Sequence, residues 1–207
     1  MKNINNSSAL FRNGQAVPMD AGAGGAHDIL VSENEAVLLS LLHISGDIHL
    51  RVRLAGVGAK CVINCVYLSN KNNQNNITLE VIHESKNTHS EQKIKGLATD
   101  SGQVAFTGLI RIEKDASQSL GLQHHRGILL SKTAQISAVP QLEILTDDVQ
   151  CAHGSAIGAL DENQIFYLMS RGIPEKNARS LLLKAFFNDI LPDAWHDSID
   201  DWMAQNV

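Results

Sequence analysis

The stretch Asp147-Asp148-Val149-Gln150-Cys151-Ala152-His153-Gly154 carries a thiol and an imidazole two residues apart. Side chains alternate along an extended strand, so there Cys151 and His153 project from one face. Such a pair suits three roles: two ligands to a soft metal, a cysteine nucleophile with its base, or a sulfur-carrying thiolate beside a proton acceptor. Two donors do not close a metal site, since zinc and iron–sulfur centres generally take four protein ligands or an exogenous one. A partner then has to supply the rest. Spacing alone favours the bland account, a half-buried cysteine and an exposed histidine with no joint role.

Other groups point less clearly to chemistry. Cys61 and Cys65 stand four apart in a strand-like run, separated along one face and without a neighbouring base, and read as small core residues. Among the nine histidines, His124-His125-Arg126 is the densest cluster. Adjacent strand positions face opposite ways, so those two imidazoles share an ion only on a turn. His43 and His49 lie in neighbouring runs, and His83 and His89 flank a polar turn. No His-x-His with a following Glu, no Gly-x-Ser-x-Gly and no His-Glu-x-x-His occurs, which weakens cupin, hydrolase and metalloprotease readings. The glycine-rich run at 21–25 has no Gly-Lys-Ser/Thr after it and reads as a flexible segment or turn rather than a phosphate loop.

The elements that position these groups fall into three parts. Residues 1–34 are polar and Gly-rich, with Asn5-Asn6-Ser7-Ser8 near the start, and are expected to form a flexible or irregular leader. Residues 35–158 consist of strand-length apolar or alternating runs: Val37 to Ile44, Ile48 to Leu54, Lys60 to Leu68, Ile77 to His83, Lys93 to Leu97, Val104 to Ile112, Gly127 to Leu130, Ala134 to Val139 and Leu142 to Leu145. No long amphipathic helix interrupts them, which excludes a doubly wound α/β domain and leaves a sandwich, a barrel or a β-solenoid. The lack of regularly spaced hairpin turns slightly favours the solenoid. Residues 159–207 change period. Asp161 caps a helix with Ile165, Phe166, Leu168 and Met169 on its apolar face, which Gly172 ends. A second helix starts at Pro174 and stops at Pro192, and a third carries Trp195, Ile199, Trp202 and Met203. Three short helices have too little core to stand alone and must pack on the β part, on each other or on a partner. The two tryptophans read as internal packing ahead of a partner-binding stripe, and the tail beyond Lys184 holds five aspartates and no Lys or Arg.

Composition narrows the class. The 207 residues are 43% hydrophobic with a formal charge of −5, and the basic residues are scattered, so a nucleic-acid partner is not expected. The apolar run Ala36 to Leu42 is far short of the roughly 20 residues a bilayer-spanning helix needs, so no membrane partner is expected either. The first residues do not read as a secretory signal, and three cysteines fit a reducing compartment. The expected location is the cytoplasm.

Several motifs together resemble a known family. They are Gly127-Ile128-Leu129-Leu130-Ser131, Ala134, Pro140-Gln141-Leu142-Glu143-Ile144, Asp147 through Gly154, and Gly158, followed by Phe166-Tyr167-Leu168, Ser170-Arg171-Gly172-Ile173, Ala178, Leu182 and Phe186. Upstream, His83, Thr88, Ser90, Lys95-Gly96, Phe106 and Gly108 also match. The chain resembles the SufB/SufD family of iron–sulfur cluster assembly proteins from about Val37 to Ile190. Cys-x-His-Gly points to the SufD side, because SufB-type chains carry a cysteine shortly before the Ile-Leu-Leu-Ser equivalent, where this chain has His124, His125 and Arg126.

The resemblance implies a mainly β fold, a right-handed parallel β-helix followed by a small C-terminal α-helical domain. It implies a non-catalytic scaffold in a cytoplasmic complex with a SufB-like subunit and a SufC-like ATPase, and a homodimer when the chain is isolated. The C-terminal helices would dock the ATPase, with Phe166, Arg171, Leu182 and Phe186 as contact residues. The end of the β-helix would pair with the SufB-like subunit, and a transient iron–sulfur cluster shared across that contact would take His153, with Cys151 second, as ligands. Family members usually have a substantial segment before the β-helix, whereas about 35 residues precede it here, so a short form or a partial chain is expected. His124, His125 and Arg126 match no family pattern. Two other classes stay open: a thiol-dependent enzyme using Cys151 and His153, and a β-solenoid interaction module without chemistry.

Overall fold

The computed structural model describes residues 9–17, 26–71 and 73–207. Two sheets face each other. The first runs in the order β12 (Val149–Gly158), β10 (Ser119–Leu129), β8 (His89–Ala98), β6 (Lys60–Ser69), β4 (Ala36–His43), β1 (Ala9–Arg12), β2 (Gln15–Val17). The second runs β11 (Gln135–Ile144), β9 (Gln103–Ile112), β7 (Gln74–His83), β5 (Gly46–Leu54), β3 (Ala26–Val31). From β3 onward the chain alternates between sheets, and these strands pair with one another in parallel. The fold is thus a parallel β-solenoid with helices after it.

The coil repeats because its corners do. Where the chain crosses from the second sheet to the first, Asn34 (φ 54°), Gly58 (φ 73°), Asn87 (φ 58°) and Gln118 (φ 59°) adopt the left-handed conformation, which Gly and Asn reach at the least steric cost. Ladder register stacks Val37, Cys61, Ser90, Gly121 and Cys151 in one inward column, and Leu39, Ile63, Gln92, Gln123 and His153 in the next.

Two apolar layers result. Inside the coil, Leu39, Leu41, Ile63, Leu50, Val52, Leu79 and Phe106 are packed against one another. Outside the first sheet, Leu42, Val66, Leu68 and Leu97 meet Leu183, Phe187, Ile190, Trp195, Ile199, Trp202 and Met203 from α2 (Glu175–Phe187), a short 3-10 turn and α3 (His196–Asn206). Burial on both faces explains near-continuous apolar runs such as Cys65-Val66-Tyr67-Leu68. Both tryptophans are inside this second layer, so they form no partner stripe; Lys95 pairs with Asp189 and donates to the Phe186 carbonyl at 2.7 Å.

The structure differs from the sequence expectation at several elements. Within 1–34, expected to be irregular, β1 and β2 form an antiparallel hairpin on β4, and β3 joins β5. The glycine run at 21–25 and Asn5 to Ser8 lie outside the described residues. The runs from Ala134 and Leu142 are one strand through Pro140, which sits on the outermost strand of its sheet, where a missing N–H is tolerated. Strands β8 and β10 begin well before their apolar runs, because their first inward residues are polar.

Candidate functional site

The final coil, β11 and β12, ends both sheets. Its outer edge is paired with nothing among the described residues. On β12 the odd positions turn inward, as the bond between Ser155 Oγ and His125 Nδ1 at 2.9 Å requires. Cys151 and His153 therefore share that inward face at the rim. Cys151 is half-buried over Gly121 and touches the small cluster of Ile110, Ile112 and Ala116, while His153 is exposed.

Below them the interior turns polar. In the His153 column Leu39 and Ile63 give way to Gln92 and Gln123, whose Nε2 donates to Gln92 Oε1 at 2.7 Å. His125 lies between the rings of Phe106 and Tyr67, with centroids at 5.1 and 5.8 Å, and its Nε2 meets the Tyr67 hydroxyl at 3.0 Å. His83 is held at both nitrogens, by Thr88 Oγ1 and Ser90 Oγ, each at 2.8 Å. Since Thr88 Oγ1 donates to the Ser85 carbonyl at 3.0 Å, its lone pairs accept from His83 Nδ1–H, and Ser90 donates to Nε2. Glycines make room for the Tyr67 side chain: a Cβ at Gly96 would lie 2.1 Å from its ring, and one at Gly127 would lie 2.9 Å from its hydroxyl.

Burial pushes both His83 and His125 down to about 4, so each is a neutral imidazole at neutral pH. An unfolded histidine titrates near 6.5. Between these values the unfolded chain binds more protons than the folded one. The stabilisation is therefore complete above about pH 6.5 and is lost as pH falls toward 4. Unfolding free energies from denaturant titrations at pH 7.5, 5.5 and 4.5 should decline in that order, by a few kcal/mol overall on the linkage scale.

The thiols are similarly disarmed. Burial pushes Cys61 and Cys65 up to about 12 and also raises Cys151, which a hydrogen bond with the Gly121 backbone offsets only in part. A protonated thiol is a poor nucleophile, which argues against the thiol-enzyme reading. At neutral pH an alkylating agent should label Cys151 slowly and leave Cys61 and Cys65 untouched until the chain unfolds, as mass spectrometry of timed samples would register.

On α1 (Glu162–Ser170), Phe166 is 72% and Tyr167 57% exposed, and Arg171 at its end donates to the Tyr167 hydroxyl at 3.2 Å. Half-buried Leu182 lines an apolar cleft of about 440 Å³ with Tyr167, Leu168, Leu181 and Ala185. Phe186 faces partly inward, its ring centre 5.2 Å from Lys95 Nζ and 5.6 Å from Arg126 Cζ. The cluster His124-His125-Arg126 is thereby split: His124 is exposed, His125 joins the interior and Arg126 meets the helices. The residues that sequence reading missed in this network are Tyr67, Gln92 and Gln123, and the two glutamines had a signal in the every-second-residue spacing of Ser90 and Gln92 and of Gly121, Gln123 and His125, of which only His125 was singled out.

Among the described residues, no group of three or more His, Cys, Asp and Glu is gathered as a metal site. Residues 33–186 match the family described as "SUF system FeS cluster assembly, SufBD core domain". The chain is similar to the iron–sulfur cluster assembly protein SufD of Escherichia coli, 33% identical over 165 residues that cover 78% of this chain and 39% of that protein. It is 39% identical over 111 residues to the chloroplastic protein ABCI7 of Arabidopsis thaliana (54% and 23% covered), and 35% identical over 116 residues to SufD of Bacillus subtilis (56% and 26%). The matched stretch thus spans at most 39% of these relatives' length.

Proposed function

The chain belongs to the SufB/SufD family of the SUF system, on its SufD-like side, and from that premise we propose that it serves iron–sulfur cluster assembly as a non-catalytic scaffold. The observation that carries this is the unfinished rim: an inward-facing thiol and imidazole on the last strand of a solenoid whose edge has no partner among the described residues. A SufB-like subunit pairs with that edge through backbone hydrogen bonds, and its ligands complete a coordination sphere to which His153 contributes first and Cys151 second. The cluster is cargo, held transiently and shared between the two chains. Without its partner, the same edge pairs two copies of this chain.

The exposed apolar face of α1 and α2, with Phe166, Arg171 and Leu182 and the free edge of Phe186, docks a SufC-like ATPase. No described helix is long and apolar enough to cross a membrane, and the proposed site of action is the cytoplasm. The test is co-purification with SufB-like and SufC-like subunits, followed by iron and sulfide analysis of the complex. Stoichiometric cluster formation by this chain alone would overturn shared ligation. Phe166→Asp, at a side chain that supports no core, should lose the ATPase-like subunit and retain the SufB-like one; unchanged recovery of both would remove the docking role.

A further inference from the structure

The interior beneath His153 contains a polar atom left over. Gln123 is fully buried, and its Nε2 donates to Gln92 Oε1 in the coil below, yet its Oε1 has no partner among the described residues. A buried carbonyl oxygen without a donor is costly enough that most such groups have a partner. The nitrogen is taken by Gln92 on β8, and the neighbouring strand on the other side is β12, where ladder register sets His153 directly against Gln123. The seat is shaped for this amide: a Cβ at Gly108 would lie 2.4 Å from Gln123 Nε2 and 2.5 Å from Oε1.

We propose that Gln123 is the positioning residue of the rim: its Oε1 accepts the ring N–H of His153 when that imidazole ligates iron. Histidine ligands commonly donate their second ring nitrogen to an oxygen acceptor, which fixes the tautomer and the ring plane. One nitrogen of His153 is thereby turned inward to Gln123 and the other presented across the interface. The inference rests on the ligand role proposed for His153, which the site's own geometry leaves to be supplied with an orienting partner.

The experiment uses the complex with its partner subunits, loaded with ferrous iron and sulfide. Gln123→Met keeps side-chain length and removes the acceptor; it should speed iron loss to a ferrous chelator by about 10–100-fold and change the hyperfine coupling of ¹⁵N-labelled His153. Gln123→Glu should restore both, since one carboxylate oxygen can face His153 while the other takes the Gln92 Nε2 that is also unpaired among the described residues. Gly108→Ala, which displaces the amide without altering Gln123, should act like Gln123→Met and serves if that variant folds poorly. Parent-like chelation and coupling in Gln123→Met or Gly108→Ala, with only a lowered melting temperature, would reduce Gln123 to a packing residue. His153→Ala run in parallel separates the two ideas: if it keeps its cluster, the ligand role itself fails, and if it loses the cluster while the Gln123 variants behave as the parent, only the positioning role fails.

Discussion

His153→Ala yields a complex that assembles with its partner subunits but carries no cluster. The imidazole is exposed at the rim and supports no core contact, so its loss should change stability by no more than about 0.5 kcal/mol. Ligation is a different matter. In the proposed shared site Cys151 already counts as the second ligand, so it cannot also take the place of the lost imidazole. Since perturbing only a supporting group costs about 10–100-fold in metal affinity, removing the ligand should lower bound iron and sulfide at least that far. Iron and sulfide per complex, measured on a gel-filtered sample, reads the effect, and the elution volume reports assembly. A cluster yield equal to the parent's would reject His153 as a ligand; a complex that falls apart would make it an assembly residue.

Gly96→Ala should destabilise the chain more than any substitution at the rim. Its Cβ would sit 2.1–2.3 Å from three ring atoms of Tyr67, a side chain with no exposure and no space to retreat. Overpacking of this kind costs about 1–3 kcal/mol. Moving the ring also breaks the bond to His125 and leaves two buried polar atoms unpaired, at about 1–3 kcal/mol more. For a chain of this size the melting temperature should fall by roughly 4–24 °C, at about 2–4 °C per kcal/mol. Gly154→Ala is the control, because a Cβ there meets nothing within 4 Å and the melting temperature should hold. Equal melting of the two variants would mean that Tyr67 is not locked between the coils.

Much of this fold was readable from alternation. Ile48, Leu50, Val52 and Leu54 on β5, and Ile77, Leu79 and Val81 on β7, face the interior as their period of two demands. Sandwich, barrel and solenoid remained equivalent on that ground, because alternation fixes which face is buried and not which strand lies beside which. The early parts of β8 and β10 were illegible for a different reason. Their inward residues, Ser90 and Gln92, Gly121, Gln123 and His125, carry the period in polar side chains and a glycine, and a hydrophobicity pattern registers only apolar ones. Strand β3 was hidden by Asp28 between His27 and Ile29, and β1 and β2 by their brevity. Of the site, the shared face of Cys151 and His153 followed from spacing; their location on the last coil required three-dimensional order.

The rising polarity of the interior has a consequence for how the molecule breathes. A stack of coils is held by neighbour-to-neighbour contacts, and here the oily filling thins toward one end while the last coil has a neighbour on a single side. Local opening should therefore be cheapest there, with amide exchange fastest along β11 and β12 and slowest along β5, β6 and β7. The edge proposed to meet another subunit would thus be the one most able to reshape itself, and it should stiffen when a second protein pairs with it.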